Sequence, residues 1–276
     1  MVWQQPETDA LHRARNFYGR VAVWESPEDD PTKDFRSFFS GSINHGRQFM
    51  HPDQRRRATT YYAEETGAGQ ALLCAGRRGP LRVGLVGLGV GTLATYARPG
   101  DLYRFYEINP EVTDIARKWF FFLSDCRGRC EVVGGDARLT LEHEREQGDE
   151  RFDVLVLDAF AGDAIPVHLL TREAFQVYLD RLKPNGLLVA HITNSYLRLS
   201  PVVQRLAEHF QLHTTRIVTM SDTERLLFKT DYMVLARDAT DLALLPPVPP
   251  TAPEPQIAVP LWTDHFSYLF QILRRN

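Results

Sequence analysis

Three carboxylates and a run of glycines carry the chemical information in this chain. Glu107 closes the apolar run Leu102-Tyr103-Arg104-Phe105-Tyr106, Asp136 follows Gly134-Gly135, and Asp158 closes Leu155-Val156-Leu157. Upstream, Val83-Gly84-Leu85-Val86 runs straight into Gly87, Gly89 and Gly91. Glycines at such a turn let backbone approach a ligand. An acid twenty residues past Gly87 is spaced to accept hydrogen bonds from ribose hydroxyls. In an open parallel sheet, ligands bind beyond the carboxyl ends of the strands, so all three acids point to one crevice.

An acid after the second strand for ribose and one after the third for an adenine amino group describe an adenosine pocket. The pattern fits S-adenosylmethionine better than a dinucleotide, because no second glycine-rich fingerprint is present. Asp136 also reads as a helix N-cap, and Asp158 as a cap for a helix entering at Pro166. Asp163, on the same loop as Asp158, supplies a second carboxylate. Two carboxylates on one loop suit a cationic amine and removal of its proton. A free Asp titrates near ~4 and an amine near ~10, so burial of the acid or a lowered amine pKa has to close that gap.

The elements that must hold these residues follow from periodicity. Strands are predicted at 81–87, 102–107, 130–134, 152–158 and 186–192, alternating with helices at 90–98, 110–122, 137–146 and 167–182. Pro110 suits a helix start, and Lys183-Pro184-Asn185-Gly186 reads as a stop and turn. A helix at 200–210 and strands at 212–219 and 231–236 complete a seven-stranded set, the last two forming an edge hairpin. This is an α/β, Rossmann-like S-adenosylmethionine-dependent methyltransferase fold with a mostly parallel sheet. A small N-terminal β domain precedes it, over residues 1–79, with strands at 16–25 and 35–39, a polar turn at 26–34 and a connecting helix at 59–75. Residues 80–276 form the larger domain. Within it, residues 245–260 hold seven prolines and read as an extended tether. The tether ends at Leu261-Trp262-Thr263-Asp264, with Trp262 as core packing and Thr263 or Asp264 capping a short C-terminal helix.

Bulk composition narrows the function classes. The 276 residues include 32 basic and 35 acidic side chains, a net charge of −3, which gives no electrostatic case for nucleic acid. Arg55-Arg56-Arg57 is a solvated basic loop. Cys74, Cys126 and Cys130 are a sparse, odd set that suggests a reducing compartment, and no matching His/Cys pair completes a zinc site, so no metal is expected. No apolar stretch approaches about 18 residues and no signal-peptide core opens the chain, so a cytoplasmic protein with no membrane segment is expected. The exposed edges of the small β element are able to pair across a homodimer.

Four segments resemble the spermidine synthase (aminopropyltransferase) family: Asn16-Phe17-Tyr18-Gly19, Gly41-Ser42-Ile43-Asn44-His45-Gly46-Arg47-Gln48, Thr60-Tyr61-Tyr62 and Phe152-Asp153-Val154-Leu155-Val156-Leu157-Asp158. The resemblance spans 16–240. His45-Gly46-Arg47-Gln48 and Trp262-Thr263-Asp264 resemble its divergent bacterial branch, often fused to membrane transporter-like domains. The resemblance implies that Glu107 binds ribose, Asp136 adenine, and that Asp158 deprotonates an acceptor amine of the polyamine class. Gln48 and Tyr62 would line the donor and acceptor pocket. His45 is either a pocket wall or a loop hydrogen-bonder. The implied donor is decarboxylated S-adenosylmethionine, and methylthioadenosine leaves. Two positions depart from the family pattern. Val90 stands where the family's glycine loop keeps an Asp for the donor's amino group. Ala161 stands where its second loop carboxylate falls, with Asp163 two residues later. Intact S-adenosylmethionine is therefore a second candidate donor. Small-molecule methyl transfer, cleavage or cyclisation of the donor alone, and a non-catalytic nucleoside-binding module are the other readings of the same pocket.

Overall fold

A computed structural model describes residues 10–159, 166–247 and 257–274. The chain opens as a four-stranded antiparallel meander of β1 (His12–Asn16), β2 (Gly19–Ser26), β3 (Phe35–Ser40) and β4 (Ile43–Phe49). The single strand predicted over 16–25 is in fact a hairpin. The Asn16 side chain accepts a hydrogen bond from the Tyr18 N–H at 2.9 Å, an Asx turn that breaks the strand at Phe17-Tyr18. The sheet is tied to the larger domain by Asn16 Nδ2 donating to Asn109 Oδ1 at 2.6 Å and by His12 meeting Glu111 at 2.7 Å.

Helix α1 (Gly67–Gly76) is shorter than the helix predicted over 59–75. Thr66 caps it, and Thr60 upstream sits at φ 56°, where a β-branched residue is an outlier. Two backbone hydrogen bonds hold that conformation: Thr60 N to Leu226 O at 2.8 Å and Phe228 N to Thr60 O at 3.0 Å. The same bonds fasten Tyr61 and Tyr62 to the 226–228 loop.

The main sheet comprises β5 (Arg82–Val86), β6 (Leu102–Glu107), β7 (Arg129–Gly134), β8 (Phe152–Leu157), β9 (Leu182–His191), β10 (His213–Thr219) and β11 (Thr230–Ala236), in the order β10-β11-β9-β8-β5-β6-β7. Only β11 runs antiparallel to its neighbours, so β10 and β11 are the predicted edge hairpin. Alternate strand residues feed two cores. Val154, Val156, Leu187 and Val189 join a cluster with α1 and α2 (Pro110–Trp119). Leu155, Leu157, Leu188 and Ala190 join one with α3 (Ala137–Glu146), α4 (Arg172–Arg181) and α5 (Ser200–His209). Burial on both faces is why these strands read as continuous apolar runs.

Several boundaries differ from the prediction. Residues 90–98 form only a 3-10 turn over Thr92–Tyr96, because Gly91 before it is left-handed at φ 83°. The 183–186 stretch lies inside β9 rather than before it, opposite a register shift between Phe152 and Val154. Asp264 caps no helix: it takes both Arg138 guanidinium nitrogens, at 2.7 and 2.6 Å, and the Thr171 hydroxyl at 2.8 Å. Only a 3-10 turn, Leu269–Ile272, follows it among the described residues. Trp262 is buried in the second core, as expected. Cys126 and Cys130 are joined as a disulfide, which removes the cysteine argument for a reducing compartment. No helix among the described residues is long and apolar enough to cross a membrane.

Candidate active site

The parallel strands deliver their ends to one line. Asp158, the first residue past β8, donates its backbone N–H to Val86 O at 2.9 Å, which sets it beside Gly87 at the end of β5. Gly87 adopts φ 100°, and any Cβ there would run into the Asp158 carbonyl. Two cavities meet at this point. One, of about 380 Å³, is lined by Gly87, Gly89, Glu107, Asp136, Pro166 and His168. The other, of about 520 Å³, is lined by Asn44, Arg47, Tyr61, Tyr62, His191 and Phe228. His45, Gly89 and Asp158 belong to both walls.

Both Asp158 oxygens are held. Tyr62 Oη donates to Oδ2 at 2.5 Å, and His191 Nδ1 meets Oδ1 at 2.5 Å. Thr193 Oγ1 lies 2.8 Å from His191 Nε2, and the imidazole stacks on Tyr232 with centroids 4.4 Å apart. Burial, followed by the negative charge of Asp158, pushes the Tyr62 phenol well above its ordinary pKa. Tyr62 therefore stays a donor, and Asp158 an acceptor with a fixed orientation. Desolvation pulls the His45 imidazole down to about 4 against the opposing pull of Asp158, so His45 is neutral at physiological pH. Its Nε2 is sealed from solvent without a hydrogen-bond partner among the described residues, and the ring lines both cavities.

On the first cavity's wall, Glu107 accepts from Leu88 N at 3.1 Å and Asn109 N at 2.8 Å. Burial raises its pKa, and these backbone donors oppose the rise. The acid thus shapes the glycine turn as well as facing the cavity. Asp136 is the helix cap the sequence allowed, and it also lines the cavity. Its Oδ1 caps α3 through Leu139 N at 3.0 Å, while it lines the cavity with Oδ2 3.1 Å from His168 Nε2.

Other expected positions fall elsewhere. Gln48 lines neither cavity: its side chain is fully buried, donating to Arg55 O at 2.7 Å and accepting from Phe121 N at 2.8 Å. The reason is strand alternation past the bulge in β4, since Arg47 turns to the second cavity and the next residue must turn away. Gly91 precedes the 3-10 turn and is absent from both walls. Val90 is buried against Gly46, so position 90 packs the glycine loop onto β4. Asp163 lies outside the described residues.

His191, Thr193, His168 and Arg47 are pocket residues that the sequence reading did not select. His191 obeys the same strand-end rule as Asp158, and Arg47 lies in the same segment as His45. Those were the available signals.

No protein-family model matches the chain. A polyamine aminopropyltransferase from Vibrio vulnificus (strain CMCP6) is 30% identical over 191 residues, 67% of this chain and 60% of the relative. The chain thus spans about 60% of that relative's length. The spermidine synthase structure from Thermotoga maritima superposes with a TM-score of 0.58 at 15% identity, covering 86% of this chain and 76% of that one. The fold is that of a spermidine synthase. A third relative, an eEF1A lysine and N-terminal methyltransferase from Danio rerio, is 34% identical over 134 residues, 44% of this chain and 19% of its own. In this chain, residues of the small antiparallel sheet and of the seven-stranded sheet together line the cavities that meet at Asp158.

Proposed function

We propose that the protein is an aminopropyltransferase-like enzyme. It moves a propylamine group from decarboxylated S-adenosylmethionine, or a related donor, to an amine and releases methylthioadenosine. The observation that carries this reading is the meeting of two cavities at Asp158. The second cavity gives an acceptor molecule a place beside the nucleoside pocket, which hydrolysis of the donor alone would not need. Glu107 and Asp136 would bind the ribose and adenine of the donor, with Gly87 and Gly89 bringing backbone close. Tyr62 and His45 would flank the reacting carbon. Asp158 would accept a proton from the amine as its lone pair attacks the carbon next to the sulfonium. The C–N bond forms, the C–S pair stays on sulfur, and the thioether departs. The leaving group is already good, so positioning does most of the work. Tyr62 and His191 supply it by fixing the carboxylate from both sides.

Methyl transfer is the second reading, and Val90 is what favours it: with valine at that position, no side-chain carboxylate there would repel the carboxylate of intact S-adenosylmethionine. The motifs His45-Gly46-Arg47-Gln48 and Trp262-Thr263-Asp264 support placement in the divergent, transporter-associated branch. Product analysis by mass spectrometry separates the readings. Methylthioadenosine with an enlarged amine supports aminopropyl transfer, and S-adenosylhomocysteine with a methylated product refutes it.

A further inference from the structure

Arg47 is the anomaly of the second cavity. Its guanidinium lies over the rings of Phe35 and Phe228, at 5.0 and 4.9 Å. Its Nε is sealed from solvent and has no hydrogen-bond partner among the described residues. Three other half-buried arginines have carboxylates of their own: Arg55 takes Asp125, Arg104 takes Glu131 and Arg216 takes Asp231. Three acids on neighbouring segments are likewise committed. Asp231 is taken by Arg216, Glu65 by Arg225, and Asp222 by the backbone N–H groups of Glu224 and Arg225. Among the described residues, Asp158 is the only carboxylate on the cavity wall, and Arg47 stands there with no anion. Burial pulls its pKa down from the ordinary guanidinium value, yet an arginine stays cationic.

A buried charge is normally paired, and a guanidinium fork matches a carboxylate with two parallel hydrogen bonds. A diamine would bring its far ammonium into a wall that already carries a cation. We propose that this cavity takes an acceptor bearing a carboxylate as well as the attacking amine, an amino acid rather than a diamine, with Arg47 as the carboxylate's partner. The inference rests on the transfer reading above. In the step itself, the amino acid's amine forms the C–N bond, its proton passes to Asp158, and the carboxylate stays on Arg47 unchanged.

The test pairs acceptors of matched length. Straight-chain ω-amino acids of three to six carbons are run against the corresponding diamines, with decarboxylated S-adenosylmethionine as donor and mass spectrometry of both products. An amino acid should be favoured in kcat/KM by about 100-fold over its matched diamine, because a site built around an ionic group penalises its absence. Arg47→Gln should abolish most of that preference, while Arg47→Lys should keep part of it. Calorimetry of the amino acid on the protein–methylthioadenosine complex gives the same comparison without turnover and shows that each variant is folded. Preference for a diamine, unchanged in Arg47→Gln, overturns the acceptor class and leaves aminopropyl transfer standing. Transfer that occurs only from intact S-adenosylmethionine to a diamine assigns the carboxylate to the donor and also overturns it. No enlarged product from any amine overturns both readings.

Discussion

Replacing Tyr62 with Phe removes one of the two side-chain hydrogen bonds that orient Asp158 and leaves the ring in place. The bond is 2.5 Å long and runs to a carboxylate whose side chain is 11% exposed, so water has poor access to substitute for the phenol. A hydrogen bond to a charged group contributes about 1.5–3 kcal/mol. If that orientation matters chiefly when the proton moves, kcat falls by about 10- to 150-fold. The ring's other contacts survive, including the edge-on packing of Tyr61 at 5.9 Å, so the fold is unaffected. Donor affinity is also preserved, because Glu107 and Asp136 line the other cavity. The assay is methylthioadenosine release at saturating donor and acceptor, with calorimetric methylthioadenosine binding run on the same preparations. A variant within about threefold of the parent kcat would contradict the role given to Tyr62. So would a parallel loss of kcat and methylthioadenosine affinity, since that pattern reports a collapsed site.

Three further outcomes follow from the same geometry. His45 titrates at about 4 in the folded protein against about 6.5 in an unfolded chain. The unfolded state therefore binds the proton first, and stability is lost as pH falls from about 6.5 to about 4, by up to about 3 kcal/mol. Urea titrations of His45→Gln should show a shallower loss over that window, and an unchanged slope would count against the buried neutral imidazole. Asp264, held down to about 2 by Arg138, is stabilising above its unfolded value, and that contribution disappears as pH falls through about 2. The pair is partly exposed, so Asp264→Asn should cost only about 1 kcal/mol, or about 2–4 °C in Tm, with kcat unchanged. A loss of turnover without a Tm change would place Asp264 in the site instead. Glu107→Gln sets an amide N–H₂ against the Leu88 or Asn109 N–H, so methylthioadenosine affinity should fall by about tenfold or more in calorimetry. Unaltered affinity would separate Glu107 from the donor pocket.

The main sheet was legible because its strands are buried on both faces and its helices carry ordinary start signals. Pro110 begins α2 and Asp136 caps α3 where the sequence placed them. Misreadings arose where a tertiary contact overrode local pattern. Residues 59–66 look helical, yet Thr60 is captured by the 226–228 loop, over a hundred and sixty residues away. Phe17 and Tyr18 read as strand because they are aromatic, and only the Asx turn shows that they form a hairpin tip. In the site, Asp158, Glu107 and Asp136 were visible as acids at strand ends. His191 ends β9 in the same way, but a histidine at a strand end carries no charge pattern that sets it apart in the sequence. Gln48 was assigned by resemblance, and a one-residue step along β4 turned it to the far face. Arg47 was named within a motif, but its missing counter-ion is a property of the folded surroundings that no motif encodes.

Asp158→Asn bears most directly on the transfer reaction. The amide keeps the size of the side chain and removes the proton acceptor, and loss of a general base costs about 10²- to 10⁴-fold. Single-turnover mass spectrometry with decarboxylated S-adenosylmethionine and the preferred amine should show transfer reduced by that factor. Methylthioadenosine should bind as it does to the parent protein. Transfer at the parent rate by Asp158→Asn would contradict the assignment of Asp158 as the group that takes the amine's proton.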